Sequence, residues 1–259
     1  MMRGIYAVVV LDLKRFWLDR TRLLMGLAQP LLYLFVLGAG IGSSSRLGGN
    51  YQTFIFPGVL GLSMLFTATF AAISIVFDRQ IGFFKAVLVA PVPRPAIAMG
   101  KIASGAIQAA VQGAIVLPFA PLAGVPLGVT GTGELLAGMV LASITFAAIG
   151  VAFAARFTSV TVFPIISNAV LLPMFFLSGA LYPLTSAPRW MQLAAHFDPV
   201  AYAVDLMRGA LLGSFFFPPW LSVAALAFVI ALLTRSAVKV FNRGEDDSSL
   251  GATGFSWHR

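Results

Sequence analysis

The chain has 259 residues, of which 59% are hydrophobic and 10% charged, and its mean hydropathy is +0.93. Soluble domains run at about 45–50% apolar and about 25% charged residues, so a soluble globular domain is excluded and a polytopic membrane protein is indicated, with spans of about 20 residues each. There is no cysteine, which removes disulfide and thiolate chemistry, and the two histidines, His196 and His258, have no evident partner for a metal site.

Residues 1–22 predict an amphipathic helix. On a 3.6-residue period Asp12, Arg15, Asp19 and Arg22 share one stripe, while Ile5, Tyr6, Val9, Leu13, Phe16 and Trp17 lie opposite, interrupted by Arg20. Such a helix lies in the interface plane with Trp17 at headgroup depth. It is either a basic anchor before the first span or a helix that touches a cytoplasmic partner. Span one follows over 23–41 and contains Pro30, which membrane helices tolerate.

A Gly/Ser-rich connection leads to span two, 54–77. Its small residues, among them Gly58, Gly61 and Thr67, let helix backbones approach closely. They serve either packing within the chain or a subunit interface and pathway wall. Residues 78–101 then form a segment too short and too broken to span. Charge, Gly82 and three prolines (Pro91, Pro93, Pro95) flank the apolar run Phe83, Phe84, Val87, Leu88, Val89, a pattern suited to lying on the membrane or entering a groove on a partner. Span three covers 102–122 and opens with a polar stripe of Lys101, Ser104, Gln108 and Gln112. The stripe is either interhelical hydrogen bonding or a wall facing transported material. Span four covers 135–155.

Span five covers 162–181 and contains Pro164, Asn168 and Pro173. Ser167 and Asn168 are read as interhelical glue with a substrate contact as the alternative, and Met174 and Phe175 as packing or the lining of a soft apolar path. The chain leaves the span at Tyr182-Pro183 and forms two short helical patterns, near 187–196 and 199–212. Asp198 and Pro199 supply an N-cap and a first-turn proline for the second. Asp205 and Arg208, three residues apart on that helix, are expected to pair, and Trp190 and Tyr202 to anchor the hairpin at the interface, with gating as the alternative for these two aromatics. Span six covers 219–238, and a polar tail occupies 239–259.

Positive charge gathers on one set of connections. Arg3, Lys14, Arg15, Arg20, Arg22, Arg79, Lys85, Arg94, Lys101, Arg156, Arg235, Lys239, Arg243 and Arg259 lie on one side, and only Arg46, Arg189 and Arg208 on the other. The formal charge of +8 is thus topological rather than a nucleic-acid signal. The positive-inside rule places both termini in the cytoplasm and the 182–217 hairpin outside.

Energy sources are conspicuous by absence. No span carries Asp or Glu near its middle, where ion-coupled carriers place ionisable residues. There is no phosphate-cradling GxxxxGK[ST] loop, no HExxH, no GxSxG and no paired-carboxylate site. A transporter of this composition, not itself an enzyme, needs a partner that supplies the energy, and residues 78–101 are the natural docking element.

These residues resemble the membrane subunits of ABC-2-type ATP-binding-cassette exporters, in particular the drug-resistance and nodulation-factor branch. The likeness covers almost the whole chain. It is most specific in DRQIGFFKAVLVAPVPR after span two and in Ser178-Gly179, Tyr182-Pro183, Pro188/Trp190, Pro199/Tyr202 and Arg208 at the end of span five and beyond. One departure is Gln80, where the family often has glutamate.

The resemblance implies an all-α membrane domain of six transmembrane helices over 1–259. It has a connecting helix at 1–22 (Arg15, Trp17, Arg20), a coupling segment at 78–101 (Arg79, Gly82, Phe83, Phe84, Lys85, Pro91), an outer re-entrant hairpin at 182–217 (Tyr182, Trp190, Asp198, Pro199, Tyr202, Asp205, Arg208) and a cytoplasmic tail at 239–259. Spans two and five would line the pathway and dimer interface through Gly58, Gly61, Thr67, Ser167, Asn168, Met174, Phe175 and Ser178. The implied partners are two ATPase subunits, which hold the ATP and Mg that this chain does not bind, a second identical or related permease, and membrane lipid. The implied setting is a bacterial inner membrane. The implied cargo is a hydrophobic drug, antibiotic or lipid-like compound, with a lipid-linked saccharide, glycolipid or polysaccharide as the alternative within the class. A passive channel or small-molecule carrier is the alternative outside it.

Overall fold

The computed structural model describes residues 2–38, 40, 51–80, 94–125 and 129–243, and among these the chain is entirely helical. Helix α1 spans Met2–Leu18. After a break at Asp19, α2 spans Arg20–Leu32 and runs on through a π-helical turn, Tyr33–Leu37. Next come α3, Tyr51–Ala71, and α4, Ile73–Gln80. Helices α5, Arg94–Val116, and α6, Val129–Ala154, follow. Beyond them lie α7, Val162–Leu177, the short pair α8, Arg189–Phe197, and α9, Pro199–Leu212, and finally α10, Pro219–Arg243.

Four described stretches are long and apolar enough to cross a membrane: Tyr51–Gln80, Pro95–Phe119, Gly131–Ala154 and Pro219–Phe241. The first and fifth expected spans are represented by shorter apolar helices, Gly26–Leu37 and Val162–Leu177. At 1.5 Å per residue, α7 rises only about 24 Å, short of the roughly 30 Å hydrocarbon core. It stops before the expected 181 because Gly179 takes the left-handed conformation, φ 74°. A Cβ there would stand 2.5 Å from Leu184 Cγ, so the turn is open only to glycine. Span three starts earlier than expected, since Pro95 fits the first turn of a helix. Span six runs further, so residues 239–243 are helix rather than tail.

The core is built on α3, whose small residues allow close contact. A Cβ at Gly150 of α6 would lie 2.8 Å from Thr69 Cα, and one at Gly105 of α5 would lie 3.2 Å from Ala147 Cβ and 3.6 Å from Ala68 O. Helices α3, α5 and α6 thus meet almost backbone to backbone. By contrast α7 leaves Val162, Ile165 and Phe176 exposed along one face.

The loop pair α8–α9 is fixed by local bonds. Asp198 caps α9, its Oδ1 accepting from Val200 N at 2.9 Å, with Pro199 in the first turn. Tyr202 Oη donates to His196 O at 2.9 Å, tying α9 back to α8. Gly213, φ 69°, ends α9 with its N–H on Gly209 O. Burial pushes the Asp198 carboxyl up from 3.8 to about 7, against the pull of the Val200 hydrogen bond. The folded protein therefore holds this group neutral where the unfolded chain ionises. Its contribution to stability is present below 3.8, falls as the pH rises toward about 7, and is lost above that. Asp198→Asn keeps the cap and is neutral at every pH. Melting temperatures taken between pH 5 and pH 8 are expected to fall for the wild type relative to Asp198→Asn; equal slopes would disprove the assignment.

Candidate functional site

Lys101, near the start of α5, is buried beneath α1. Its ammonium has three donors, and three acceptors meet it: Asp12 Oδ1 of α1 at 3.0 Å, Ser74 Oγ of α4 at 2.9 Å and Asp78 Oδ2 of α4 at 3.2 Å. Asp12 Oδ2 accepts in turn from Ser104 Oγ of α5 at 3.0 Å. Arg15 Nη1 stands 3.6 Å from Asp78 Oδ1, so two cations and two carboxylates balance. The close approach of α1 and α5 is permitted by Gly100, where a Cβ would lie 2.9 Å from Val8 Cβ.

This arrangement corrects the helical-stripe expectation for residues 1–22. Asp12 is not on a solvated face with Arg15 and Asp19; it is buried together with Phe16. The apolar residues Tyr6 and Trp17 are instead exposed, Trp17 at 59%, with its ring edge-on to Phe16. The helix docks through its acidic residue because Lys101 needs a counter-charge, and it turns aromatic residues outward. Arg20 is exposed at the start of α2. Sequence reasoning picked out Lys101 and Ser104 as a polar stripe but not their partners Asp12, Ser74 and Asp78. The only available signal was charge complementarity between residues distant in the sequence.

The clasp lies at the roots of the segment joining α4 to α5. Within that segment Gly82, Phe83, Phe84, Lys85 and Pro91 fall outside the described residues. Arg79 is turned away from Lys101. Its Nη1 donates to Ala155 O, just past the end of α6, at 2.6 Å, where a cation also suits the helix C-terminus. Its guanidinium lies 5.6 Å from the Phe241 ring of α10.

At the opposite end of the bundle the expected Asp205–Arg208 pair does not form. Asp205 accepts from Phe216 N at 2.8 Å and Phe217 N at 3.0 Å. Arg208 Nη2 donates to Gly179 O at 2.8 Å, with its guanidinium 4.4 Å from the Phe54 ring. Each charge finds backbone partners on a different side: Asp205 holds the entry to α10, and Arg208 holds the exit of α7. Tyr182 Oη donates to Phe176 O and Trp190 is 64% exposed. Tyr51 Oη of α3 donates to Leu181 O at 2.8 Å, adding a third tie.

Most residues expected at a pathway or dimer interface are occupied within the chain. A Cβ at Gly58 would lie 2.5 Å from Ala180 O, and one at Gly61 would lie 2.9 Å from Val204 Cγ2. Phe175 is fully buried, its ring 6.5 Å from that of Tyr33. Ser178 Oγ donates to Phe175 O at 2.7 Å. Met174 and Asn168 are half-buried. Thr67 is buried and lines a cavity beside α2. Among the described residues the buried hydroxyl of Ser167, expected to bond between helices, has no partner, and neither do Gln108 Oε1 and Gln112 Nε2 further along the span-three stripe.

Lys101→Met is expected to cost about 3–5 kcal/mol, because Asp12 and Asp78 are then left buried against each other. Melting in detergent micelles measures this. Adding Asp12→Asn and Asp78→Asn is expected to recover much of the loss, and unchanged melting of the single variant would contradict the clasp.

The chain matches the family model described as "ABC-2 type transporter" over residues 3–212. It is similar to nodulation protein J of Rhizobium leguminosarum bv. trifolii, 35% identical over 74% of each chain, and to nodulation protein J of Rhizobium meliloti, 31% identical over 74% of each. It is also similar to the inner membrane transport permease YadH of Escherichia coli K12, 28% identical over 82% of this chain and 83% of that one. A match over most of its length, on an all-helical framework with four long apolar helices, shows that the chain belongs to the ABC-2 type transporter family, whose members are the membrane subunits of transporters rather than enzymes.

Proposed function

We propose that this chain is the membrane-spanning permease of an ATP-driven exporter in a bacterial inner membrane. The family match over residues 3–212 carries this reading. In it the chain crosses the membrane six times with both termini in the cytoplasm, as the distribution of Lys and Arg favours. The short α2 and α7 supply the first and fifth crossings. Helices α8 and α9 form a re-entrant hairpin at the outer face. The permease pairs with a second copy or a related chain and with two ATPase subunits that bind ATP and Mg.

Residues 78–101 dock on the ATPase through Phe83, Phe84 and Lys85, with Gly82 and Pro91 in the same coupling segment. The Lys101 clasp supports this assignment, since it ties both roots of the segment to α1. Movement of the docked segment then reaches α1, α4 and α5 together. Arg79 serves from the side, holding the root of the segment against α6.

The cargo is a hydrophobic drug, antibiotic or lipid-like compound. Phenylalanine outnumbers the polar-edged aromatics, 23 Phe against 4 Trp and 5 Tyr, which suits an apolar path better than a carbohydrate channel. The second reading, a lipid-linked saccharide, glycolipid or polysaccharide, draws on the nodulation-factor branch that the sequence resembles.

Purification in mild detergent from the native membrane is expected to retain an ATP-binding-cassette ATPase; its consistent absence would remove the reading. Phe84→Asp is expected to leave the permease inserted and folded but to abolish ATP-driven export, because a carboxylate cannot enter an apolar groove without a large desolvation cost. Normal export by this variant would displace Phe84 from the docking surface.

A further inference from the structure

The core of α3 has one wall that the chain does not fill. A cavity of about 390 Å³ lies between α1, α2, α3 and α5, within the size range of small-molecule sites. Phe66 and Phe70 line it, one turn apart on α3 with rings stacked at 5.8 Å. Thr67 lies between them, and Pro30 of α2 closes the far side.

Gln112 of α5 also lines this cavity. It is 1% exposed, and its Nε2 has no hydrogen-bond partner among the described residues. A buried amide donor left unmade is a loss of stability. Gly26 of α2 makes room for this side chain, since a Cβ there would stand 3.2 Å from Gln112 Nε2. The sequence thus maintains a polar tip beside a pair of stacked rings, in a place where leucine would pack more cheaply.

We propose that this cavity is a ligand site for an uncharged aromatic compound bearing a carbonyl or ether oxygen. The ring lies against Phe66 and Phe70, and the oxygen accepts from Gln112 Nε2. Stacked aromatic faces prefer a flat ring to a flexible acyl chain, and the unpaired Gln112 donor selects an oxygen acceptor beside them; Asp19 and Gln29 line the same cavity. Assigning that ligand as exported cargo rests on the exporter reading; the site itself does not.

Benzophenone, an aromatic ketone and a photolabel in one, tests the site. Full-length protein in phospholipid nanodiscs, with no ATPase and no nucleotide, is irradiated with benzophenone and the adducts are mapped. Saturable labelling within 62–73 or 108–115 is expected, falling at least fivefold in Gln112→Leu and in Phe66→Ala. Gln112→Leu is expected to melt no lower than the wild type, since an apolar replacement for an unpaired buried donor is neutral or stabilising. A purely structural glutamine would instead melt lower when replaced.

Labelling spread evenly over lipid-facing helices, or unchanged in both variants, would overturn the proposal. So would adducts found only on phospholipid tails, which would make the cavity a lipid niche. Because binding is read without ATP, a positive label with no ATP-driven export would leave the site standing and reject the exporter reading, and the converse result would do the opposite.

Discussion

Everything at the charged end of this molecule depends on keeping one ammonium group satisfied away from water. An isolated buried Lys is costly enough to lose its proton or expel the structure around it. Lys101 is tolerated because two helices bring three oxygens to it: Asp12 from α1, and Ser74 and Asp78 from α4. The converse also holds. Asp12 pairs with Lys101 and accepts from Ser104, so α1 is held to α5 through its acidic residue. The helix is thereby fixed in register by electrostatics as well as by its packing on α5. That allows its aromatic residues Tyr6 and Trp17 to face outward, as an interfacial helix requires.

The two ends of the bundle solve the problem of buried charge differently. At the Lys101 end opposite charges meet directly, joining separate helices. At the hairpin end Asp205 and Arg208 sit on one helix within pairing distance in sequence, yet each is spent on backbone groups of a different neighbour. Carboxylate oxygens suit two consecutive N–H groups, and a guanidinium suits carbonyls at a helix end. The hairpin therefore acts as a staple between the exit of α7 and the entry of α10, with Tyr51 adding α3. An Asp205–Arg208 pair would have held α9 only to itself.

What the sequence disclosed follows from what has a period or a composition. Apolar runs located the long helices, the Asp198-Pro199 dipeptide located the start of α9, and the density of small residues on span two foretold how closely α3 would pack. Boundaries moved where a single backbone requirement intervened: Gly179 shortened α7, and Pro95 extended α5. The candidate site was half legible. The stripe of Lys101, Ser104, Gln108 and Gln112 was visible as a pattern on one helix. Its reading as interhelical hydrogen bonding holds for Lys101 and Ser104, but their partners were not legible. Asp12 was misplaced because a helical wheel orients a polar stripe toward water by default, and only the partner on another helix reveals which polar residues turn inward.

The stripe on α5 then divides into two halves with different chemistry. Lys101 and Ser104 are saturated by α1 and α4, so their polarity is consumed in holding helices together. Gln108 and Gln112 lie deeper, and each retains an atom unpaired among the described residues, Gln112 beside the rings of Phe66 and Phe70. Packing alone does not account for that choice, since an unpaired polar atom in the core of a membrane domain is a standing loss of stability. A permease that must hold something transiently is one setting in which such a loss is retained. A polar group satisfied only by a passing ligand favours the occupied state, and it leaves the empty state ready for the next.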